Sequence, residues 1–254
     1  MSAPVSVLVT ARDEEAQLPG ALASVVGWAA ETLVVVDPRS TDRTAEIARA
    51  AGAVVLAHAY TSSAAQCNWG LERCAHDWVF VLDADERATP ALGDAIGRTL
   101  AAPGHAAYEV RRTNLAFGRR LQFGDWGADR IVRLLDRRRA RFEERAVHGA
   151  VLAPSVGRLE GTIEHHTLRS LSQYAAKLHD YARRGAEELV GGGRRATVIG
   201  AAARAEWRFV RAFVFRLGFL DGGAGFVVAV LGAYGTFLKW AAVWDATTRR
   251  HSVS

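Results

Sequence analysis

The sequence predicts an α/β protein, with a doubly wound, mostly parallel sheet and a helical, membrane-associating region at the C-terminus. Two observations predict the sheet. Short apolar runs alternate with segments of helical spacing along residues 1–100, and polar side chains follow each run. A third observation predicts the separate C-terminal region, because after the glycine run at 191–193 the composition becomes rich in arginine and aromatic residues.

Four buried strands are expected in the first hundred residues. They cover 5–9, 32–36, 53–57 and 78–82. The helices between them are expected to begin near Leu18, at Ser40 or Thr41, and at Ser62 or Ser63. Because strand and helix alternate with short loops, the strands should run parallel, with their carboxyl ends at one edge, where such sheets bind ligands.

Polar side chains cluster at those predicted strand ends. They are Thr10, Arg12, Glu14, Asp37, Asp42, Asp83 and Asp85. A surface loop would explain any one of them, but seven at one edge predict a binding site. No glycine-rich phosphate-binding motif of the dinucleotide or Walker type is present, so side chains and a metal would have to hold a nucleotide.

The fourth strand ends in two carboxylates, Asp83 and Asp85, separated by one residue. If the segment stays extended, both side chains point the same way and repel each other unless a cation joins them. Oxygen ligands suit Mg²⁺ or Mn²⁺, and Mg²⁺ is commonly held by one or two carboxylates and substrate phosphates. A solvated acidic turn is the alternative interpretation.

Length and charge limit the functional classes. The 254 residues fit one large domain or one domain with an appendage, and the formal charge of +5 favours anionic partners. Cys67 and Cys74 are too few for a disulfide framework or a zinc cluster. The N-terminus lacks the basic and long apolar regions of a signal peptide, so we expect a cytoplasmic protein.

The middle of the chain adds further candidates. Strands are expected at 107–112 and 131–135, and the loop between them, 114–129, is long enough to suggest a functional role. It contains Asp125, Trp126 and Asp129, and Trp126 would either stack on a sugar or anchor the core. His148 is a candidate metal or phosphate contact, although a lone histidine is more often structural.

The C-terminal region has the composition of a membrane-surface segment. Residues 194–217 interleave arginines with aromatic residues, and 222–238 carry no charge. A helix lying in the interface, a re-entrant hairpin broken at Gly222-Gly223, and a docked core helix are the three interpretations. Nucleic acid is disfavoured as a partner, because the arginines stand beside aromatics and an uncharged stretch, which suits an anionic membrane surface better.

Three motifs resemble those of family 2 glycosyltransferases of the GT-A fold, a Rossmann-like architecture. They are residues 7–15 (VLVTARDEE), 34–44 (VVVDPRSTDRT) and 82–86 (LDADE). Four further stretches resemble the branch containing lipopolysaccharide inner-core β-glucosyltransferases. These are 64–68 (AAQCN), 124–129 (GDWGAD), 146–148 (AVH) and 218–222 (GFLDG). Together the motifs extend over nearly the whole chain.

The resemblance implies a role for each candidate residue. Base and ribose of a nucleotide-sugar donor would bind Thr10, Arg12, Glu14, Asp37, Asp42 and Gln66. Asp83 would contact the ribose and a divalent cation, and Asp85 the cation, with His148 as a further metal candidate. Such enzymes usually invert the anomeric centre with a carboxylate as general base. Asp129 matches that position, with Asp125 and Glu144 as fallbacks.

The sequence departs from the family pattern at two places. Pro38-Arg39 stands where the family usually has Ser-Gly, which stiffens the turn and adds a charge beside the donor pocket. Gly149 follows His148, where the branch usually has glutamate. The first departure bears on the donor base or sugar, and the second bears on the acceptor.

The predicted function is an inverting, Mg²⁺- or Mn²⁺-dependent hexosyltransferase. It would use a nucleotide-sugar, with UDP-glucose favoured, and a lipid-linked or lipopolysaccharide-type acceptor, while attached peripherally to the inner face of the cell membrane. Residues 1–190 would form the transferase domain, with donor half 1–100 and acceptor half 101–190, and 191–254 the membrane-associating region. The alternatives are an inactive membrane-bound scaffold on the same fold and a haloacid-dehalogenase-type phosphatase.

Overall fold

The computed structural model describes residues 4–127, 129–144, 150–168 and 171–251. Its strands are β1 Val5–Ala11, β2 Glu31–Val36, β3 Val54–Ala57, β4 Trp78–Asp83, β5 Glu86–Ala88, β6 Ala107–Ala116, β7 Arg119–Arg120, β8 Asp129–Asp136, β9 Arg141–Phe142, β10 Val151–Leu152 and β11 Val156–Leu168. Its α-helices are α1 Leu18–Ala23, α2 Thr44–Ala50, α3 Ser63–Leu71, α4 Pro90–Ala101, α5 Leu171–Gly191, α6 Val198–Val210 and α7 Gly222–His251.

Nine of the described strands form one sheet, in the order β3-β2-β1-β4-β8-β6-β11-β5, with β7 paired to β6. The first four strands of this order run parallel, which confirms the α/β class and the predicted doubly wound half. Strand β8 runs antiparallel to both β4 and β6, and β5 runs antiparallel to β11, so the complete sheet is mixed. Strand composition revealed β6 and β8 but not β5 or β11, and the direction of all four depends on the connections between them.

Both faces of β1, β2 and β4 are buried, as parallel strands inside a sheet require, whereas β3 at the edge is partly exposed. On one face Val7, Val9 and Phe80 pack with the apolar sides of α1, α2 and α4. On the other face Leu8, Leu33 and Val79 pack with α3. Successive residues of β1 therefore point to opposite layers, which explains why Val7, Leu8 and Val9 are all apolar.

Helix α3 lies close against β1 because Gly70 has no side chain. A Cβ atom at Gly70 would stand 2.6 Å from Cδ1 of Leu8, well inside van der Waals contact. Ser62 caps the same helix by accepting a hydrogen bond from the amide of Ala65 at 3.1 Å, as predicted. The helix start and its packing distance thus both follow from local sequence.

The chain folds as two compact units. The first comprises Met1–Arg112 and Asp129–His165, and the second comprises Thr113–Ala128 and His166–Ser254. The second unit contains α5, α6 and α7, and its small core includes Leu121, Leu168 and Val228. Trp126 packs against this core, with its ring 5.6 Å from that of Tyr174, so the structure favours a core anchor for Trp126.

Two predicted boundaries differ from the structure. Strand β6 continues to Ala116, so Asn114 lies in a strand, and its side-chain amide donates to the carbonyl of Trp126 at 2.8 Å. Helix α2 begins at Thr44 with Arg43 at its N-cap, so neither Ser40 nor Thr41 caps it as predicted, and Asp42 accepts a hydrogen bond from the Thr44 amide at 2.9 Å. In both cases a side-chain hydrogen bond between loop and element shifts the boundary.

The apolar C-terminal stretch forms a single helix, α7, without a break after Gly222. Among the described residues, one helical segment, Gly218–Arg249, is long and apolar enough to cross a membrane by length and composition. Only 11% of its most apolar stretch is buried, unlike a docked core helix. This low burial disfavours the docked core helix, and the interface helix and the re-entrant hairpin stay predictions.

Candidate active site

The parallel strands bring three predicted donor-site residues to one edge of the sheet. Thr10 on β1 is paired in register with Asp83 on β4 and with Val35 on β2. Asp37 follows directly after β2, and its amide donates to the carbonyl of Ala11 at 3.1 Å. Three side chains from separate parts of the sequence therefore meet at the carboxyl edge, as the strand order predicts.

Asp37 is held by Arg39, the arginine of the loop after β2 that departs from the family pattern. Nε of Arg39 donates to Oδ1 of Asp37 at 3.0 Å, and Nη2 donates to Oδ2 at 2.6 Å. Arg39 Nη2 also donates to the carbonyl of Tyr60 at 3.0 Å. The hydrogen bonds from Arg39 lower the pKa of Asp37 to about 2, so the carboxylate is ionised at neutral pH.

Asp42, in the loop after β2 (residues 37–43), ties this loop to the loop after β1 (residues 12–17). Its carboxylate accepts hydrogen bonds from the amide of Glu15 at 2.8 Å and from the hydroxyl of Thr44 at 2.5 Å. Burial acts to raise the pKa of Asp42, but these hydrogen bonds outweigh it, and the pKa is lowered. The structure thus gives Asp42 a loop-anchoring role, and direct contact with a donor stays a prediction.

Two other predicted donor residues, Arg12 and Glu14, lie in the loop after β1. The amide of Glu14 donates to the hydroxyl of Thr44 at 2.8 Å, which fixes the loop backbone against α2. Arg12 is exposed, and its Nε lies 3.5 Å from Oδ2 of Asp13. Asp13 accepts from the amide of Thr41 at 2.8 Å, so side chains of each loop bind the backbone of the other.

Gln66 occupies a buried position on α3. Its side-chain nitrogen donates to the carbonyl of His58 at 3.0 Å, and its oxygen lies 2.8 Å from Nδ1 of the same histidine. His58 in turn stacks on Trp69, with ring centroids 4.2 Å apart. Gln66 therefore stabilises the chain between β3 and α3, and a direct donor contact stays a prediction.

The chain turns between the two carboxylates that follow β4. The strand ends at Asp83, and Ala84 and Asp85 form a turn before β5 begins at Glu86. The extended geometry that would align the two side chains is therefore absent. Asp83 forms an ion pair with Arg133, and Oδ2 of Asp85 lies 3.4 Å from Nε2 of His165.

A buried charge network extends from Asp83 across the sheet. Glu86 is fully buried, and its carboxylate accepts from the amide of Asp83 at 3.1 Å and from Nη2 of Arg133 at 2.7 Å. Nη1 of Arg112 donates to the same carboxylate at 3.4 Å. Arg112 also binds Oδ2 of Asp129 through Nε at 2.7 Å and through Nη2.

This network joins two predicted site residues through three residues that the sequence patterns did not indicate. Arg133 bridges Asp83 and Glu86, and Arg112 bridges Glu86 and Asp129. Glu86 appeared in the LDADE motif only as a neighbour of the aspartates. Arginines within the apolar strands β6 and β8 were the available signal, but only the sheet order shows which carboxylates they meet.

Burial and neighbouring charges act in opposite directions on the pKa values of Arg133 and Glu86. Burial acts to lower the pKa of Arg133, but the negative charges of Asp83 and Glu86 outweigh it and raise this pKa. Burial raises the pKa of Glu86, and the charge of Arg133 opposes this shift. Nε of Arg133 is buried without a hydrogen-bond partner among the described residues. The guanidinium therefore remains charged in the interior of the first unit.

The three candidate general bases lie in different surroundings. Asp129, at the start of β8, belongs to the charge network of the first unit. Asp125 belongs to the second unit, where Arg208, Arg211 and Arg216 surround it. Glu144 is exposed, and its Oε1 accepts from Asn68 at 3.4 Å. His148 lies outside the described residues.

Asp83 at the end of β4 and Asp85 in the following turn carry carboxylate oxygens, the ligand type that Mg²⁺ and Mn²⁺ prefer. Their binding of a divalent cation stays a prediction. Within the described ranges, no group of three or more histidine, cysteine, aspartate or glutamate side chains is arranged to hold a metal ion. Two carboxylates are nonetheless sufficient where a diphosphate provides further oxygens. Burial raises the pKa of nearby Cys67 to about 12, which makes a thiolate ligand unfavourable.

The comparison with protein families identifies the class of protein. Residues 6–151, which include the strands and loops of this edge, match the family described as Glycosyl transferase family 2. The protein is therefore an enzyme of sugar transfer, a glycosyltransferase. The chain belongs to glycosyl transferase family 2, which confirms the resemblance of its motifs and overturns the phosphatase alternative.

Relatives extend over nearly the whole chain. An uncharacterized glycosyltransferase of Rickettsia typhi is 27% identical over 98% of this chain and 89% of its own length. The lipopolysaccharide core biosynthesis glycosyltransferase LpsC of Rhizobium meliloti is 28% identical over 95% of this chain and 92% of its own. The similarity therefore includes the C-terminal helices as well as the family domain.

Solved structures resemble the chain more weakly. A mycobacterial protein of known crystal structure aligns with 71% of this chain and 73% of its own, at 20% identity and a TM-score of 0.45. Glucosyl-3-phosphoglycerate synthase from Mycobacterium tuberculosis, crystallised with Mn²⁺, UDP and glucosyl-3-phosphoglycerate, aligns over 44% of each chain, at 23% identity and a TM-score of 0.37. Similarity at this level transfers neither ligand nor substrate to the present chain.

Proposed function

We propose that this glycosyltransferase moves a hexose from a nucleotide-sugar onto a lipid-linked or lipopolysaccharide-type glycan, with inversion at the anomeric carbon. UDP-glucose is the favoured donor. The proposal rests on one observation: Thr10, Asp37 and Asp83 lie at the same carboxyl edge of parallel strands in a family 2 chain. The acceptor class is supported by the similarity to LpsC, a relative named for lipopolysaccharide core biosynthesis.

The donor nucleotide would lie against the two loops that Asp42 ties together. Asp37 would accept hydrogen bonds from the base or ribose, with Thr10, Arg12 and Glu14 beside it. Because Arg39 already binds both oxygens of Asp37, the nucleotide must either displace the guanidinium or bind to the pair. This arrangement makes Arg39 the residue most able to alter donor preference from the family pattern.

A divalent cation would be held by Asp83, Asp85 and the donor diphosphate, with His148 as a further candidate ligand. When bound, it would stabilise the negative charge of the leaving nucleoside diphosphate. Arg133, already paired with Asp83, would add a fixed positive charge next to the site. The side chains thus supply both the ligands and part of the charge that the departing diphosphate requires.

Asp129 is the proposed general base. It would take the proton of the acceptor hydroxyl as that oxygen attacks the anomeric carbon and the bond to the diphosphate breaks. Arg112 contacts Oδ2 of Asp129, so the proton would be accepted at Oδ1. Asp125 and Glu144 remain the fallbacks. In the proposed division, residues 1–100 serve the donor, 101–190 the acceptor and 191–254 the membrane.

Attachment to the inner face of the cell membrane would bring the enzyme to its lipid-linked acceptor. Helix α7 supports this part of the proposal, because it is long and apolar and little of it is buried. Arginines on α6, including Arg204 and Arg208, would favour a membrane that carries anionic lipids. An inactive scaffold attached in the same way is the competing function.

Ligand-induced stabilisation tests the proposal directly. The melting temperature of the purified protein would be measured with UDP, UDP-glucose and other nucleotides, each with Mn²⁺ or with EDTA. Binding to the folded state must raise the melting temperature. We expect a metal-dependent increase with UDP-glucose that Asp85→Ala abolishes, while Asp94→Ala, an exposed control on α4, retains it.

Other outcomes have defined meanings. A shift with a different nucleotide would keep the class and change the donor, and Arg39→Gly would then be expected to alter the preference. No shift with any nucleotide in a folded, metal-supplemented sample would reject the transferase and favour the scaffold. Transfer from a radiolabelled donor to a lipid extract, lost in Asp129→Asn without loss of donor binding, would identify the base.

A further inference from the structure

Three arginines of the second unit converge on a single carboxylate. Oδ2 of Asp125 lies 2.6 Å from Nε of Arg208, and Oδ1 lies 3.0 Å from Nη1 of Arg216. Nη2 of Arg211 contacts both oxygens, at 3.3 and 3.4 Å. We call these four residues the Asp125 cluster.

The backbone around the Asp125 cluster is fixed by several independent contacts. The amide of Gly124 donates to the carbonyl of Arg216 at 2.8 Å. Asp221 accepts from the amides of Gln122 and Phe123 at 3.1 and 2.9 Å. The loop that carries Asp125 is therefore anchored to the segment after α6 and to the turn before α7, so the arginines are held together by the fold.

The charges of the Asp125 cluster do not balance. Arginine is always protonated in proteins, so three guanidinium groups face one carboxylate. The Asp125 side chain is only 9% exposed, whereas those of Arg208, Arg211 and Arg216 are 38%, 38% and 51% exposed. The accessible part of the cluster is thus cationic, and its one negative charge lies beneath.

Hydrogen-bonding capacity is also left over. Nε of Arg211 is buried without a hydrogen-bond partner in the described part of the chain. Nε of Arg208, although close to Asp125, lacks the alignment of a hydrogen bond to it. A multivalent oxyanion would supply the missing negative charge and would accept hydrogen bonds from the exposed parts of these arginine side chains, as phosphate does for arginine groups elsewhere.

Exposed apolar side chains share the same segment. Trp207 and Phe215, whose rings lie 5.8 Å apart, are 59% and 66% exposed. Val214, Leu217 and Leu220 are also about half exposed. Aromatic and aliphatic side chains beside arginines are typical of segments that insert shallowly into the headgroup region of a membrane.

We propose that Arg208, Arg211 and Arg216 form a binding site for the phosphate group of an anionic lipid, with Trp207 and Phe215 entering the membrane interface beside it. This inference rests on the proposed membrane attachment and adds a defined headgroup site to it. A free phosphate would leave the neighbouring apolar side chains in water. A lipid phosphate places them in the apolar layer adjoining its headgroup, and this is why the lipid is the proposed occupant.

Vesicle binding by the full chain tests the site. Sedimentation would be measured with vesicles of phosphatidylcholine alone, with added phosphatidylglycerol, and with added oleate at matched surface charge. The test variant is Arg211→Gln with Arg216→Gln. The control is Arg119→Gln with Arg194→Gln, two exposed arginines of the same unit outside the Asp125 cluster.

We expect the test variant to lose roughly 30-fold in affinity for phosphatidylglycerol vesicles, from two arginines near an anionic surface. It should lose less on oleate vesicles, which offer no phosphate, and the control should keep most of its binding. Equal losses of vesicle affinity in the test and control variants would show that the effect comes from net charge alone, and would reject the site. Unchanged binding of the test variant would also reject it.

Two further measurements keep the outcomes distinct. In the first, the melting temperature is measured with inorganic phosphate. If phosphate stabilises the wild type but not the test variant, and the test variant still binds vesicles as the wild type does, the lipid assignment is overturned. Phe215→Ser, with all arginines present, should weaken vesicle binding and retain the preference for phosphatidylglycerol over oleate. The metal-dependent nucleotide shift should persist in the test variant, so failure of the lipid site is separable from failure of the transferase.

Discussion

At the scale of single residues, the carboxylates of the candidate site are paired with arginine side chains or with backbone amides. Arg39 holds Asp37, Arg133 holds Asp83 and Glu86, and Arg112 connects Glu86 to Asp129. These contacts keep negative charges close together before any ligand binds. Substitutions at Asp37 and Glu86 therefore test the charge arrangement separately from catalysis.

The ion pair of Asp37 predicts a dependence of stability on pH. Its pKa of about 2 lies below the ordinary value of 3.8, so its stabilising contribution is complete above the ordinary value and disappears as the pH falls toward 2. We expect Asp37→Asn to lower the melting temperature at neutral pH, and the difference from wild type to shrink below about pH 4.

Thermal melting across this pH range is the measurement for Asp37. Asp94→Asn, an exposed carboxylate on α4, is the control and should change the melting temperature little at any pH. A constant difference between wild type and Asp37→Asn from neutral pH to pH 2 would contradict the assigned pKa. It would point to lost packing at Asp37 instead of lost charge.

Removal of the buried negative charge at Glu86 should destabilise the first unit strongly. In Glu86→Gln, the positive charges of Arg112 and Arg133 lose a fully buried partner, and such losses cost about 3–5 kcal/mol. Urea unfolding of the variant would measure this cost. Asp245→Asn breaks an exposed pair with Arg249 and should change stability by less than about 1 kcal/mol.

At the scale of elements, the close packing of α3 on β1 depends on Gly70. In Gly70→Ala the new Cβ atom would meet Cδ1 of the buried Leu8, and overpacking of this kind costs about 1–3 kcal/mol. Gly97 on α4 has no atom within 4 Å of an added Cβ. Gly97→Ala should instead stabilise the helix by about 0.5–1 kcal/mol.

Equilibrium unfolding in urea compares the two glycine substitutions. Opposite signs are expected, because both introduce the same methyl group into a helix and differ only in the space around it. If Gly70→Ala proved as stable as Gly97→Ala, the spacing between α3 and β1 would have to be wider than the structure has it. The comparison therefore tests the packing of one sheet face with matched chemistry.

At the scale of the whole molecule, exposed apolar side chains are concentrated in the second unit. Along α7, a stripe formed by Phe226, Val230, Tyr234 and Phe237 recurs at spacings of three or four residues, and each side chain is 36–48% exposed. Exposed large apolar side chains are fewer in the first unit, with Val26 and Val54 among them. This distribution agrees with membrane attachment through the C-terminal helices.

A charge placed in the α7 stripe should impair membrane attachment. Val230→Glu is expected to reduce binding to phosphatidylglycerol vesicles at least about tenfold, because an ionised carboxylate opposes insertion of an apolar face. Val26→Glu, at an exposed valine of the first unit, is the control and should bind as wild type does. Equal binding of both variants would place the membrane contact away from α7.

The sequence alone was sufficient for four strands and for the helices of the first hundred residues, and for the polar positions at the strand ends, but it did not reveal the short strand β5. Short-range periodicity carries that information. The family motifs were readable for the same reason, since each lies within a few consecutive residues. Alternating strands and helices predicted parallel strands, and the observed strand order places Thr10, Asp37 and Asp83 at one edge.

Only the tertiary structure decided which partner each charged side chain meets. Glu86 and Arg133 are 47 positions apart, and Asp125 and Arg216 are 91 apart, so no local pattern relates them. The ion pair of Arg112 with Asp129, 17 positions away on the neighbouring strand, likewise depends on the pairing of β6 with β8. Backbone periodicity is local, whereas ion pairing and burial arise from contacts between distant strands and helices.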